Sequence, residues 1–136
     1  MTTYEFDANL PTLNRQHLTL VKHTPAQMQL WVQSLPVSHP LECGKLLYQT
    51  LTELSTLNID ANLRFELVEI LYPPVIVLIA SLEKSYTNLA LVLPIQGKRA
   101  LALSQTLRHY LALNYKIVAM QTFEKDISQI FSPNIT

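Results

Sequence analysis

A short, almost unbroken apolar run in the middle of the chain limits what this sequence can fold into. Residues 69–86 read EILYPPVIVLIASLEKSY, and the stretch 75–82 is nearly all apolar. Such a run belongs in a membrane, in a buried strand or in a helical core. A bilayer span needs roughly 20 apolar residues in a row. Because Glu83 and Lys84 follow directly, we expect no membrane span.

A helix explains this run better than a strand does. Its branched residues favour a strand by propensity alone, but no other segment shows strand-like alternation or hairpin turns, and the chain has only two glycines. Pro73 and Pro74 suit the first turn of a helix, and Leu78 and Leu82 follow one helical turn apart. We therefore predict a helix over residues 73–86 that is buried nearly all round at the centre of the domain.

Capping and proline signals predict the neighbouring helices. The sequence TPAQ at residues 24–27 combines a capping box with a proline in the first turn and predicts a helix to about Ser34. A second helix begins at the His-Pro pair 39–40 and carries a stripe of leucines. A third is capped by Asp60, and the proline pair 73–74 is expected to end it.

The C-terminal part adds one or two helices. The pattern predicts a helix from Lys98 to about Leu113, and Asn114 either caps its end or bends it, because helical spacing continues to Phe131. The predicted fold class is therefore all-α, a compact bundle of five or six helices.

The first 23 residues have no sustained period, which predicts an extended N-terminal arm. The expected division of the chain is an arm over residues 1–23 and a helical domain over residues 24–132. A chain of 136 residues is long enough for one core.

The total charge and the cysteine content indicate where in the cell the protein is located, but they do not indicate a binding partner. Ten basic and ten acidic residues leave no net charge, so nothing global indicates nucleic acid. A single cysteine, Cys43, cannot form an internal disulfide, and the N-terminus does not resemble a signal peptide. We expect a cytoplasmic protein.

One local cluster of charge stands out against this neutral total. Every charged residue between Glu83 and Glu124 is basic. Lys98 and His109 fall within one narrow stripe of the predicted helix, and Arg99 and Arg108 flank that stripe. These four residues, Lys98, Arg99, Arg108 and His109, are the predicted binding site. The cluster indicates an acidic partner protein, a phosphate-bearing ligand or a solvated face that keeps the protein soluble.

No familiar catalytic or metal-binding pattern accompanies this cluster. The four histidines lack zinc-binding spacing, Cys43 lies on a leucine-rich helix as a small core residue would, and no glycine-rich phosphate loop occurs. Glu66 and Glu69 can share a helix face, but a solvated edge or an ion pair of Arg64 with a neighbouring helix is a better explanation than an acid/base pair. We predict no enzyme activity, no metal and no cofactor.

Three segments carry a family resemblance. They are WVQSLPVSHP at 31–40, LYQTLTELSTLNI at 47–59 and RFELVEILYPPV at 64–75. The chain is similar over residues 30–118 to a helical module of gammaproteobacterial cytoplasmic proteins associated with PilZ-type cyclic di-GMP signalling. PilZ domains bind their nucleotide through Arg-x-x-x-Arg and Asp/Asn-x-Ser-x-x-Gly elements, and neither occurs here. The resemblance thus implies the accessory helical part of such a protein and no nucleotide site of its own.

The function predicted on this basis is a non-catalytic regulatory or scaffolding module that binds another protein, in bacterial signalling. The alternative is a binder of an anionic ligand or nucleic acid through the region from Lys98 to Lys116. The sequence leaves a homo-oligomer open.

Overall fold

Four α-helices form the part of the chain that the computed structural model describes, residues 24–89 and 92–131. They are α1 (Pro25–Gln33), α2 (Pro40–Thr56), α3 (Ala61–Leu89) and α4 (Pro94–Phe131). The predicted all-α class is confirmed, since these residues contain no strand. The predicted five or six helices are not found there, because two predicted boundaries lie inside continuous helices. The N-terminal arm, residues 1–23, lies outside the described residues.

The predicted starts of the first three helices are confirmed. Thr24 Oγ1 accepts a hydrogen bond of 3.0 Å from the backbone N–H of Gln27, and Asp60 Oδ1 accepts one of 2.8 Å from the N–H of Leu63. Each bond satisfies one of the N–H groups that the start of a helix leaves without an internal partner. α2 begins at Pro40, as predicted.

The predicted boundary at the proline pair is wrong, because α3 continues through Pro73 and Pro74. A proline inside a helix removes one backbone hydrogen bond and costs about 3 kcal/mol. Burial of the inner face of α3 on both sides of the prolines offsets this cost. The buried residues of that face are Leu67, Val68, Leu71, Val75, Leu78, Ile79 and Leu82. The local proline rule fails here because it ignores a core that holds both halves of the helix in line.

Only one side of α3 is buried, which corrects the prediction that residues 73–86 are buried nearly all round. Ile79 is 3% exposed, as the core assignment requires, whereas Val77 two residues earlier is 70% exposed. The uniform apolar sequence concealed this difference, because a helix places residues 77 and 79 about 200° apart around its axis.

The boundary predicted at Asn114 is also absent, since α4 is one helix from Pro94 to Phe131. Asn114 is fully buried, and its Nδ2 donates hydrogen bonds to the carbonyl oxygens of Leu51 at 3.0 Å and Tyr110 at 2.8 Å. The amide thus joins α4 to α2 instead of ending the helix. The start of α4 lies four residues before the predicted start at Lys98.

All four helices contribute to one core. α3 and α4 form the most extensive helix pair, α2 packs on both, and α1 packs on α3. Gly44 of α2 allows this close packing, since an added Cβ would overlap the side chain of Leu103 on α4. The largest fully buried side chains are Met28, Trp31, Leu47, Leu51, Leu54, Leu67, Val68, Leu71, Leu82, Leu103 and Leu107.

By length and composition alone, α3 could cross a membrane. Residues 75–82 alone are too few to span a bilayer, but the helix that contains them begins at Ala61. Fewer than half of the residues in its most apolar stretch are buried within the domain. The core helix of a soluble protein can be equally long and apolar, so the length and composition of α3 are weak evidence for a membrane span.

Candidate functional site

The basic residues predicted to bind a partner lie on α4, most of them on its outer side. Lys98 and His109 are exposed, and their spacing of eleven residues places them on the same side of the helix, about 16 Å apart. Lys116 is exposed further along that side. α4 has no acidic residue from Pro94 to Phe123. This part of α4 therefore presents a face with only basic charges, which we call the basic face.

Arg108 lies at the edge of the basic face and pairs with an acid on α3. Its Nη2 is 2.6 Å from Oε2 of Glu83, and its Nε donates to the same oxygen at 3.2 Å. Glu83 lies just outside the acid-free stretch of sequence, so counting charges along the chain could not reveal this partner. Exposed ion pairs contribute only about 0.2–1 kcal/mol, so an acidic partner could compete with Glu83 for Arg108.

Arg99 is half-buried, unlike the other three predicted site residues, and it also has interactions within the protein. It borders a shallow apolar groove of about 320 Å³, which Leu93, Ile95 and Gln96 also line. The positive end of the helix dipole has little effect on Lys98 and Arg99, because both residues follow the first turn of α4 and the effect falls off within that turn.

His109 is held against an aromatic neighbour. Its ring makes an edge-to-face contact with Tyr110, with 4.9 Å between the ring centroids. Tyr110 makes a similar contact of 5.6 Å with Tyr48 on α2. The structure thus places Lys98 and His109 on the basic face, Arg108 in an ion pair at its edge and Arg99 beside an apolar groove.

Glu66 and Glu69, considered above as a carboxylate pair, are both exposed on α3. Glu69 accepts a hydrogen bond of 2.5 Å from the hydroxyl of Tyr115 on α4. Burial and the hydrogen bond with Glu69 raise the pKa of Tyr115, so its hydroxyl stays protonated. Arg64 does not pair with either glutamate but donates to Gln121 and to backbone carbonyls. The contact of Glu69 with Tyr115 joins two helices.

Cys43 has the environment of a core residue. It is buried, and burial raises the pKa of its thiol to about 11, so the reactive thiolate is scarce at neutral pH. Among the described residues, no group of three or more His, Cys, Asp or Glu side chains is placed to hold a metal ion.

An exposed apolar side of α3 is the feature that the sequence interpretation missed. Phe65, Tyr72 and Ile76 are exposed there, and Val77 is exposed roughly 100° further round the helix. Tyr115 of α4 borders this surface, with edge-to-face contacts of 6.4 Å to Phe65 and 6.3 Å to Tyr72. The sequence contained one signal for it. Glu66 and Lys84 are five helical turns apart, so they mark the same polar edge of α3.

Fold and surfaces together define an all-helical domain whose distinctive features lie on the outer sides of its two longest helices. The family model described as "Cyclic-di-GMP receptor FimW, N-terminal domain" matches residues 26–133. The chain belongs to this family.

A curated relative supports this membership. The chain is 32% identical over 129 residues to the cyclic-di-GMP receptor FimW of Pseudomonas aeruginosa, and the match covers 93% of this chain and 21% of the relative. The chain thus spans about one fifth of the length of this relative. No solved structure matches the chain. The expected link with cyclic di-GMP signalling is confirmed at the level of the family, while the specific association with PilZ domains stays a prediction.

Proposed function

We propose that this domain is a non-catalytic regulatory module of cyclic di-GMP signalling in the bacterial cytoplasm, and that it acts by binding an acidic partner protein. The family name supports a role in signalling. The observation that carries the proposed mode of action is the basic face of α4, where Lys98, His109 and Lys116 are exposed on one side of an acid-free helical stretch.

The contact surface proposed here consists of the basic face and its edge. Lys98 and His109 would meet acidic side chains directly, while Arg108 would exchange Glu83 for a carboxylate of the partner. The apolar groove beside Arg99 offers room for an apolar side chain of the partner next to these charges. Charges at the rim of an interface mainly raise the association rate and make it depend on salt.

The domain would not bind the nucleotide itself. A partner protein, or another part of a longer polypeptide, would do so. The named receptor is about five times as long as the matched segment, and neither PilZ nucleotide-binding element occurs in these 136 residues. The domain would then pass on a nucleotide-dependent signal that it does not itself receive.

A second candidate function is direct binding of an anionic ligand or nucleic acid. The specific observation in its favour is the same row of exposed basic residues from Lys98 to Lys116. Calorimetric titration of the domain with cyclic di-GMP, and separately with a short oligonucleotide, tests this candidate. Binding that weakens steeply with salt would support it, and no heat of binding at low salt would exclude these two ligands.

The main proposal is tested by affinity capture from the native host, identification of what is bound, and binding measurements with the purified partner. We expect replacement of Lys98, Arg99 and Arg108 by serine to slow association at low salt, while circular dichroism shows unchanged helicity. Lys125→Ser is the matched control, since Lys125 is exposed near the far end of α4. Equal association rates for the parent and the triple variant at low salt would overturn the proposal.

A further inference from the structure

The exposed side of α3 carries a charge pattern that is complementary to itself. Glu66, Pro73, Val77 and Lys84 are all exposed, and their spacing of 7, 4 and 7 residues places them along one line of the helix surface. Glu66 and Lys84 are five full turns apart, about 27 Å along the axis. The line therefore has an acid at one end, a base at the other and apolar residues between them.

Reversal of the helix direction brings the opposite charges together. If two copies of α3 pack antiparallel about a twofold axis level with residue 75, Glu66 of each copy meets Lys84 of the other. Pro73 of each copy then meets Val77 of the other. The same surface is used twice, as in the isologous interfaces of most homodimers.

Pro73 and Val77 supply the apolar contacts along this line, because the exposed side chains of Phe65, Tyr72 and Ile76 lie roughly 80–120° from it around the helix axis. No ion pair among the described residues uses Glu66 or Lys84, so neither charge has to leave a partner in order to associate.

We propose that two copies of this chain form a homodimer through the exposed side of α3, with Glu66 of each copy paired to Lys84 of the other. A second copy fits this surface better than a membrane does, because an anionic lipid surface would attract Lys84 but repel Glu66. The dimer goes beyond the proposed function, since it uses α3 and leaves the basic face of α4 for the signalling partner.

A charge-reversal series tests the dimer by sedimentation velocity over a range of protein concentrations. In a twofold interface, Glu66→Lys or Lys84→Glu alone turns two attractive pairs into two repulsive ones. We expect each single variant to raise the dissociation constant of the dimer by about tenfold or more. The double variant restores opposite charges at both pairs and should dimerise like the parent.

Mixing the two single variants gives the most specific result. One variant carries lysine at both positions and the other glutamate at both, so together they should form a heterodimer at concentrations where each alone is mostly monomeric. Glu124→Lys and Lys125→Glu, exposed on α4, are the matched controls and should leave dimerisation unchanged.

A parent protein that stays monomeric at high concentration would overturn the proposal, as would single variants that dimerise like the parent. Binding to vesicles of anionic lipid that Glu66→Lys strengthens and Lys84→Glu weakens would assign this surface to a membrane and would also overturn the proposal.

Discussion

Arg64 is a charged residue that belongs to the core, and its role follows from what its guanidinium touches. It donates hydrogen bonds to the carbonyl oxygens of Leu54 and Leu57, the latter at 2.7 Å, and to Oε1 of Gln121 at 3.0 Å. Carbonyl groups at the end of a helix lack internal partners and carry partial negative charge. Arg64 therefore stabilises the C-terminal end of α2. No sequence motif indicates this role, because most of its partners are backbone atoms.

Cys43 gives a prediction about pH at the scale of one residue. Its thiol pKa is about 11 in the folded protein against 9.0 ordinarily, so folding favours the protonated form. The stability that the protonated thiol contributes to the folded state is fully present below pH 9 and is lost as the pH rises towards 11. We expect the free energy of unfolding to fall by roughly 2–3 kcal/mol from this group.

The measurement is chemical denaturation of the parent and of Cys43→Ala at a series of pH values. The raised pKa of Tyr115 also lowers stability at high pH, but it does so in both proteins. The stability difference between parent and variant should therefore narrow between pH 9 and 11. A constant difference over that range would contradict the assignment of Cys43 to a dry core.

At the scale of helices, the starts of α1, α2 and α3 could be predicted from the sequence, whereas the start of α4 and two boundaries inside continuous helices could not. Thr24 and Asp60 act within their own first turn, so local sequence contains the necessary information. Pro73, Pro74 and Asn114 were interpreted as boundaries by local rules, but the two helices continue through them because buried contacts with other helices stabilise both sides. Those contacts join residues that are far apart in the sequence.

Because only one side of α3 is buried, two similar substitutions on this helix should differ greatly in their effect on stability. Ile79→Asp places an unpaired charge in the core and should lower the free energy of unfolding by at least about 3 kcal/mol. Val77→Asp places the same group at a position that is 70% exposed. This substitution should change the free energy of unfolding by no more than about 0.5 kcal/mol.

Urea denaturation at low protein concentration compares these variants without a contribution from self-association. Near-parent stability of Ile79→Asp would contradict the assignment of α3 as the core helix. An equally large loss for Val77→Asp would show that its side chain is not exposed in the monomer.

At the scale of the whole molecule, the two longest helices share one core and present two different surfaces. The basic face of α4 could be predicted, because the absence of acids over a long stretch is visible in the sequence. The ion pair of Arg108 with Glu83 could not be, since it depends on how α3 and α4 pack. The exposed side of α3 is marked in the sequence by Glu66 and Lys84, but its apolar residues could not be separated from the buried ones by residue type.

The association rate of the captured partner, measured at low salt across a graded set of charge variants, tests the central claim most directly. Glu83→Gln releases Arg108 and should speed association, Lys98→Ser should slow it, and the double variant Lys98→Ser/Arg108→Ser should slow it further. These differences should shrink at high salt, where surface charges are screened. Rates that are the same for all variants at low salt would contradict a contact between the basic face and an acidic partner.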